Sequence, residues 1–213
     1  MADAARRTTT SAAQHARREA GEHSRARLLD VAEAHFARHG VDGTSLRAVN
    51  AEAGFGPAAV NYHFGGRDEL LRAVLARRAP GVTTAQLARL AEAERRARPS
   101  TAELVSVVAV PFYELLEREP VGGLRWLRIT TSLAQADHPI VTDRPGRERF
   151  EERLHALLTR RYPRLPPDEL APRWRMAVLA LMALIGASGD EFAPSTAIRF
   201  TAQGFDGVCR TRT

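Results

Sequence analysis

Between Ser24 and Leu71 apolar side chains recur at helical spacing in four short groups, and each group closes on a glycine or a small polar residue. The first predicts a helix from Ser24 to His39, with Leu28, Val31, Ala32, His35 and Phe36 on one stripe and Gly40 ending it. The second places Leu46, Val49 and Ala53 on a common face, with Thr44 or Ser45 able to cap the helix. Gly54 supplies the sharp turn, and Pro57 suits a first helical residue because its missing donor has no intrahelical partner anyway. The third group buries Val60 and Phe64 at i and i+4. Asp68 then opens a further helix through Leu70, Leu71, Val74 and Leu75 to Arg78, before Pro80-Gly81.

Beyond that point only helical spacing is found, at roughly 83 to 97, 101 to 117, 121 to 136, 146 to 162, 168 to 188 and 195 to 209. Pro99, Pro120, Pro139, Pro163, Pro166-Pro167 and Pro194 punctuate these segments, and there is neither a sustained alternating stretch nor a repeat. Residues 1 to 22 mix Ala, Thr and Arg without apolar periodicity and read as a flexible arm. The predicted organisation is therefore an arm over 1–22, a small helical domain over 23–78 and a larger one over 79–213.

The small domain has the spacing of a helix-turn-helix DNA reader: a bracing helix, a short helix, a glycine turn and a second short helix. The chain runs Tyr62-His63-Phe64-Gly65-Gly66-Arg67-Asp68-Glu69-Leu70-Leu71 where that second helix ends. Residues 24 to 71 thereby resemble the DNA-binding region of the TetR family of bacterial transcription regulators. That family has a glycine turn, a short helix ending in a Tyr/His/Phe cluster, and a Gly/Ser-Lys-Glu-x-Leu helix start. Two positions depart from the pattern. Arg67 stands where lysine is usual, which keeps a cation but changes its donor geometry. Asn50 stands where the short helices usually pack a small alanine; a buried amide there needs hydrogen-bond partners or costs roughly 1–3 kcal/mol, so Asn50 is expected to bond a neighbouring backbone group.

The resemblance implies an all-α protein: an N-terminal three-helix DNA-binding domain plus a larger helical ligand-binding and dimerisation domain. It implies a homodimeric, ligand-responsive regulator, a repressor released from a palindromic operator on double-stranded DNA by a small-molecule effector. Asn61, Ala58 and Ala59 are the candidates for base edges, since asparagine pairs bidentately with adenine and an alanine methyl can touch thymine's methyl. Thr44, Arg47, Tyr62, His63 and Arg67 are the candidates for phosphates, which fix register without reading sequence. Phe112, Tyr113, Leu116, Trp126, Ile129, Thr130, Phe150, His155 and Trp174 combine aromatics with a few polar groups, as an apolar ligand site requires. The segment from 168 to 188 is apolar nearly all round and rich in Ala177, Ala180, Ala183 and Ala187. With the last helix it is read as half of an intersubunit four-helix bundle, through Val178, Leu181, Met182, Ile185, Ile198 and Phe205.

Composition adds less. All 31 basic residues among the 213 are arginine, which points to a GC-rich genome, and the net charge of +6 favours a polyanionic partner. Residues 1–67 hold nine Arg against seven acids, so the excess is not concentrated in the reader. A single Cys209 excludes an internal disulfide and suits a reducing cytoplasm. There is no apolar signal core, and the run Met176 to Gly186 is short for a bilayer, so no membrane partner is expected.

Other motifs fail on context. Gly54-x-Gly56-x-x-Ala59 follows a helix where a dinucleotide fingerprint follows a strand. His35 and His39 lack the Glu of a zinc-protease helix and any cysteine pair, so no metal is read there. Gly186-Ala-Ser188-Gly189 misses a nucleophile elbow by one position. No catalytic residue and no cofactor are predicted. The alternatives are a helical enzyme acting on a small molecule, or a sequence-tolerant DNA-compacting protein.

Overall fold

A computed structural model describes residues 2–142, 147–188 and 193–210, and among these all regular structure is helical. The chain divides into two compact units, Met1–Val74 and Leu75–Thr213.

The first unit holds α1 (Ala2–His39), α2 (Leu46–Glu52), α3 (Ala59–Phe64) and most of α4 (Arg67–Ala76). Leu28, Ala32, Phe36, Val49, Ala53, Val60, Phe64, Leu70, Leu71 and Val74 are its buried apolar residues, the positions that helical spacing selects. α1 begins far earlier than its apolar stripe. Residues read from sequence as an arm continue the helix, because Ala and Arg dominate them and no proline interrupts. Ser24 sits inside that helix, its Oγ donating to the Ala20 carbonyl at 2.8 Å. Gly40, at φ 72°, takes the left-handed conformation that ends it, and its N–H donates to Phe36 O.

The second unit comprises α5 (Ala79–Glu94), α6 (Thr101–Arg118), α7 (Pro120–Gln135), α8 (Pro139–Thr142), α9 (Arg147–Arg161), α10 (Pro167–Ser188) and α11 (Pro194–Arg210). Here proline starts helices more than it breaks them. The interruption after α4 falls at Arg77-Arg78, and Pro80 occupies the first turn of α5, where its missing donor costs nothing. α8 is a single turn that spacing alone does not reveal. α6 is the axis of this unit, packing against α5, α7, α9, α10 and α11, which is why it is buried on nearly every side. Ser100 and Glu103 close a capping box at its start. α10 is long and apolar enough to cross a membrane by length and composition, but Leu170, Trp174, Leu181 and Ile185 pack inside this unit.

One polar cluster ties three helices of the second unit together. The hydroxyls of Thr101, at the start of α6, and Tyr162, just past α9, both donate to Asp206 Oδ1 on α11, at 2.7 and 2.5 Å. Phe205 lies edge-on between the rings of Tyr162 and Trp174, each centroid 5.3 Å away. Burial of the Tyr162 phenol pushes its pKa up, and its hydrogen bond to the Asp206 carboxylate adds to that. A phenol raised in the folded state stabilises the fold below the unfolded value of about 10 and loses that contribution as pH climbs past it. Tyr162→Phe is therefore expected to lower the urea midpoint at neutral pH and to flatten the decline of stability above about pH 10. Parallel alkaline profiles for the two proteins would contradict the assignment.

Candidate nucleic-acid interface

The turn between α2 and α3 accounts for its backbone groups one by one. Gly54, at φ 80°, follows the C-cap Ala53; its N–H donates to Ala51 O, and the next N–H, of Phe55, donates to Asn50 O. These two crossed bonds satisfy carbonyls that α2 leaves free at its end. Pro57 then occupies a turn closed by Ala59 N–H to Gly56 O, so α3 starts two residues later than the proline suggests.

α3 has no capping side chain of its own, because its N-cap is Ala58. Asn50 supplies one from α2. Its Oδ1 accepts from Val60 N–H at 3.0 Å while its Nδ2 donates to Pro57 O at 2.6 Å. The amide is 2% exposed, yet both of its ends are bonded to backbone. The residue that departs from the family pattern thus fixes where the second short helix begins and how it is turned against the first.

With Val60 and Phe64 buried, α3 presents the opposite face outward. Ala58, Asn61 and Tyr62 are exposed, Ala59 and His63 partly so, and Tyr62 stands 84% free beside His63 with the rings edge to face at 5.0 Å. Tyr62 therefore offers an amphipathic ring to a partner on the outward face of α3. Arg47 is exposed on α2. Six of the eight residues read from sequence as DNA contacts therefore lie on accessible parts of α2 and α3.

The other two have different partners. Thr44 is 1% exposed, and its hydroxyl donates to Gly40 O at 2.7 Å, so its side chain braces the loop after α1 where the sequence suggests a phosphate contact. Ser45 takes the N-cap of α2, accepting from Ala48 N–H at 3.4 Å. Arg67 turns its guanidinium onto the carbonyls of Val41 and Asp42. Both bonds come from one nitrogen, Nη1, so the guanidinium reaches back to the loop before α2 through a single donor group.

α1 braces the reader through contacts that spacing does not reveal. Arg27 Nε donates to Ala53 O at 2.7 Å, Arg25 lies over the Phe64 ring at 4.4 Å, and His35 pairs with Glu52 at 2.7 Å. The hydrogen bond from His35 holds the Glu52 carboxyl below its usual range. His35 is thus a link between α1 and α2, and its ring lies 5.6 Å from that of His39.

In the second unit the residues assigned from sequence to a ligand separate into groups. Phe112, Tyr113 and Leu116 are buried on α6 and Trp126, Ile129 and Thr130 on α7, with the Phe112 and Trp126 rings 6.4 Å apart. Thr130 Oγ1 donates to Trp126 O. Trp174 belongs instead to the cluster around Phe205, and Phe150 and His155 are half-buried on α9.

Four residues expected at a dimer interface require correction. Leu181, Met182, Ile185 and Phe205 are buried within one chain, because α10 and α11 use those faces to pack on α7, α6 and each other. Val178 and Ile198 are half-buried. The large apolar residues these two helices leave outward are Met176, Phe200 and Val208, with Phe200 72% exposed. Helical spacing marks both faces as apolar but does not say which meets the chain's own core.

Residues 28–74 match the family model described as bacterial regulatory proteins, tetR family. The whole chain is similar in fold to PfmR, a TetR family transcriptional regulator from Thermus thermophilus, at 21% identity. That alignment covers 88% of this chain and 99% of PfmR, with a TM-score of 0.51. It is also similar to the multidrug binding protein EbrR in complex with imidazole, at 23% identity over 84% of this chain and 88% of EbrR, with a TM-score of 0.50. No curated protein matches the sequence. The family match falls on the segment that carries the glycine turn, the Asn50 bridge and α3, and both structures share the all-helical fold around it. Residues 28–74 thus form a helix-turn-helix DNA-binding domain similar to that of the TetR family of bacterial regulatory proteins.

Proposed function

We propose that this protein is a homodimeric, ligand-responsive repressor that binds a near-palindromic operator through α3 and leaves it when a small molecule binds the second unit. The observation that carries the reading is the division of α3 into a face locked down by Val60, Phe64 and the Asn50 bridge and a face offering Ala58, Asn61 and Tyr62 to a partner. A two-fold dimer sets two such helices in successive major grooves, roughly 34 Å apart. Asn61 reads a base edge, with Ala58 and Ala59 close enough to touch a thymine methyl; Arg47, Tyr62 and His63 hold phosphates. Arg67 and Thr44 act indirectly, by shaping the loop before α2.

Dimerisation is assigned to the outward faces of α10 and α11, through Met176, Phe200 and Val208. Apolar groups left in solvent there are covered when a second copy packs on them, completing a four-helix bundle. The effector is assigned to the aromatic and apolar side chains of α6 and α7, and EbrR, a multidrug binding protein of like fold, supports a small-molecule role for this unit. Such an effector switches the protein only if it binds the released conformer more tightly than the operator-bound one. The reading involves no catalytic step, cofactor or membrane, and places the protein in the cytoplasm with the DNA it reads.

Selection of bound sites from random duplexes by the purified protein tests the whole proposal, with a two-fold symmetric consensus as the expected result and no consensus as the contrary one. On that consensus, Asn61→Ala should cost about 1–3 kcal/mol and relax preference at one position of each half-site. Arg47→Ala should weaken all sequences alike and reduce the salt slope by about 1. Equal losses on operator and random DNA for both variants would contradict this division of labour. For the dimer, sedimentation of Phe200→Asp should show a dissociation constant at least about tenfold higher than wild type with an unchanged helical spectrum. An undisturbed dimer would exclude the outward face of α11 as the interface.

A further inference from the structure

Within the second unit, two arginine-rich stretches are held side by side. Arg160, in the last turn of α9, donates to the carbonyls of Arg96 and Ala97 just past α5, at 3.3 and 2.8 Å. Hydrogen bonds among Thr101, Tyr162 and Asp206 bring the start of α6 and the end of α11 to the same place. Arg95, Arg96 and Arg98 therefore adjoin Arg160, Arg161 and Arg164, and all six are exposed. Two of them meet carboxylates: Arg96 reaches Glu103 at 2.6 Å, and Arg95 stands 3.9 Å from Glu92. Arg161 lies over the Tyr162 ring at 5.5 Å. Glu94 is taken by Arg153, which grips both of its oxygens at 2.9 and 2.7 Å. Among the described residues Arg98 and Arg164 have no carboxylate partner.

Cations near a helix C-terminus answer its dipole, and Arg160 does this for the end of α5. Arg98 and Arg164 lie beyond the helix ends and answer nothing in the unit. Residues 68–213 hold 22 Arg against 18 acids, a larger surplus than that of residues 1–67. Gathering like charges raises the local positive potential and costs self-repulsion, which a bound polyanion removes. The chemistry selects among polyanions. Guanidinium forks match phosphate oxygens. None of the unit's exposed large apolar residues, Val121, Met176, Phe200 and Val208, belongs to the two arginine stretches. A protein partner calls for an apolar centre and a bilayer for an apolar face to insert, whereas a nucleic-acid backbone needs neither. The reader, on the same chain, also raises the effective concentration of duplex around this unit. We propose that the arginine cluster of the second unit is a sequence-independent site for the phosphate backbone of duplex DNA, additional to α3. It adds to the repressor reading and does not require operator preference.

The test compares two full-length variants that each lose two exposed arginines of the second unit. Arg98→Ala/Arg164→Ala removes charge from the cluster; Arg118→Ala/Arg149→Ala removes the same charge at the opposite ends of α6 and α9. Binding to random duplex is titrated against salt. Operator cut to its consensus is compared with operator in long flanks, and operator-saturated protein is offered a second, labelled random duplex. The cluster variant is expected to lower the salt slope by about 2 and to lose roughly tenfold either on the flanked operator or on the second duplex, while the control stays near wild type. Loss with the flanks marks contact along the same duplex, and loss of the second duplex marks contact with another segment. Equal losses in both variants would reduce the effect to overall charge, and unchanged binding in every DNA arm would remove the site; either overturns the inference. Selective loss of binding to phosphatidylserine vesicles or to polyglutamate, with DNA binding intact, would overturn it in favour of a membrane or an acidic protein. A wild type without operator preference would overturn the repressor reading and leave the salt titration on random duplex to decide this one.

Discussion

The reader depends on a single side-chain amide. A six-residue helix cannot hold itself together, since it forms too few internal hydrogen bonds to offset the entropy of fixing its backbone. α3 persists because Val60 and Phe64 are packed under it and because Asn50 does for its first turn what a capping residue does elsewhere. The same amide bonds Pro57 O, so one residue fixes both the turn and the helix start. Removing it leaves the buried Val60 N–H without its acceptor, which is the expensive kind of loss, and takes the donor from Pro57 O.

Around that amide the other contacts are graded in reach. Gly54 and Gly65, both at positive φ, stop the two short helices where a side chain would strain the backbone. Arg27, Arg25 and His35 tie α1 to both short helices and the turn between them. Arg67 and Thr44 hold the loop before α2. None of these is a strong bond alone. Together they leave α3 a single orientation in its own unit, and preorganisation of that kind lowers the entropy lost on binding.

The helical layout is readable from the chain because apolar spacing, glycine stops and proline starts report on local conformation, which is set locally. Leu28, Phe36, Val49, Val60 and Phe64 fall in the core for that reason. The need of Asn50 for partners is also readable, as a buried amide has few options, although only the folded chain identifies Pro57 O and Val60 N–H as those partners. What escapes depends on long-range packing. Thr44 and Arg67 carry the chemistry of phosphate ligands and spend it on nearby carbonyls. Leu181, Met182, Ile185 and Phe205 share two helices with Met176, Phe200 and Val208, and only packing tells the inner face from the outer. The early start of α1 escapes because residues 2–22 have helical composition without the apolar periodicity that marks a helix in a sequence.

The central claim is that Asn50 presents α3 to DNA, and the most direct measurement is amide hydrogen exchange over residues 59–64 in wild type and Asn50→Ala, read beside operator binding. Protection of that segment should fall by roughly the 1–3 kcal/mol of an unmet buried group. Operator affinity should fall with it, while exchange in α6, α10 and α11 stays as in wild type. Unchanged protection and affinity in the variant would show that α3 holds its place without the amide.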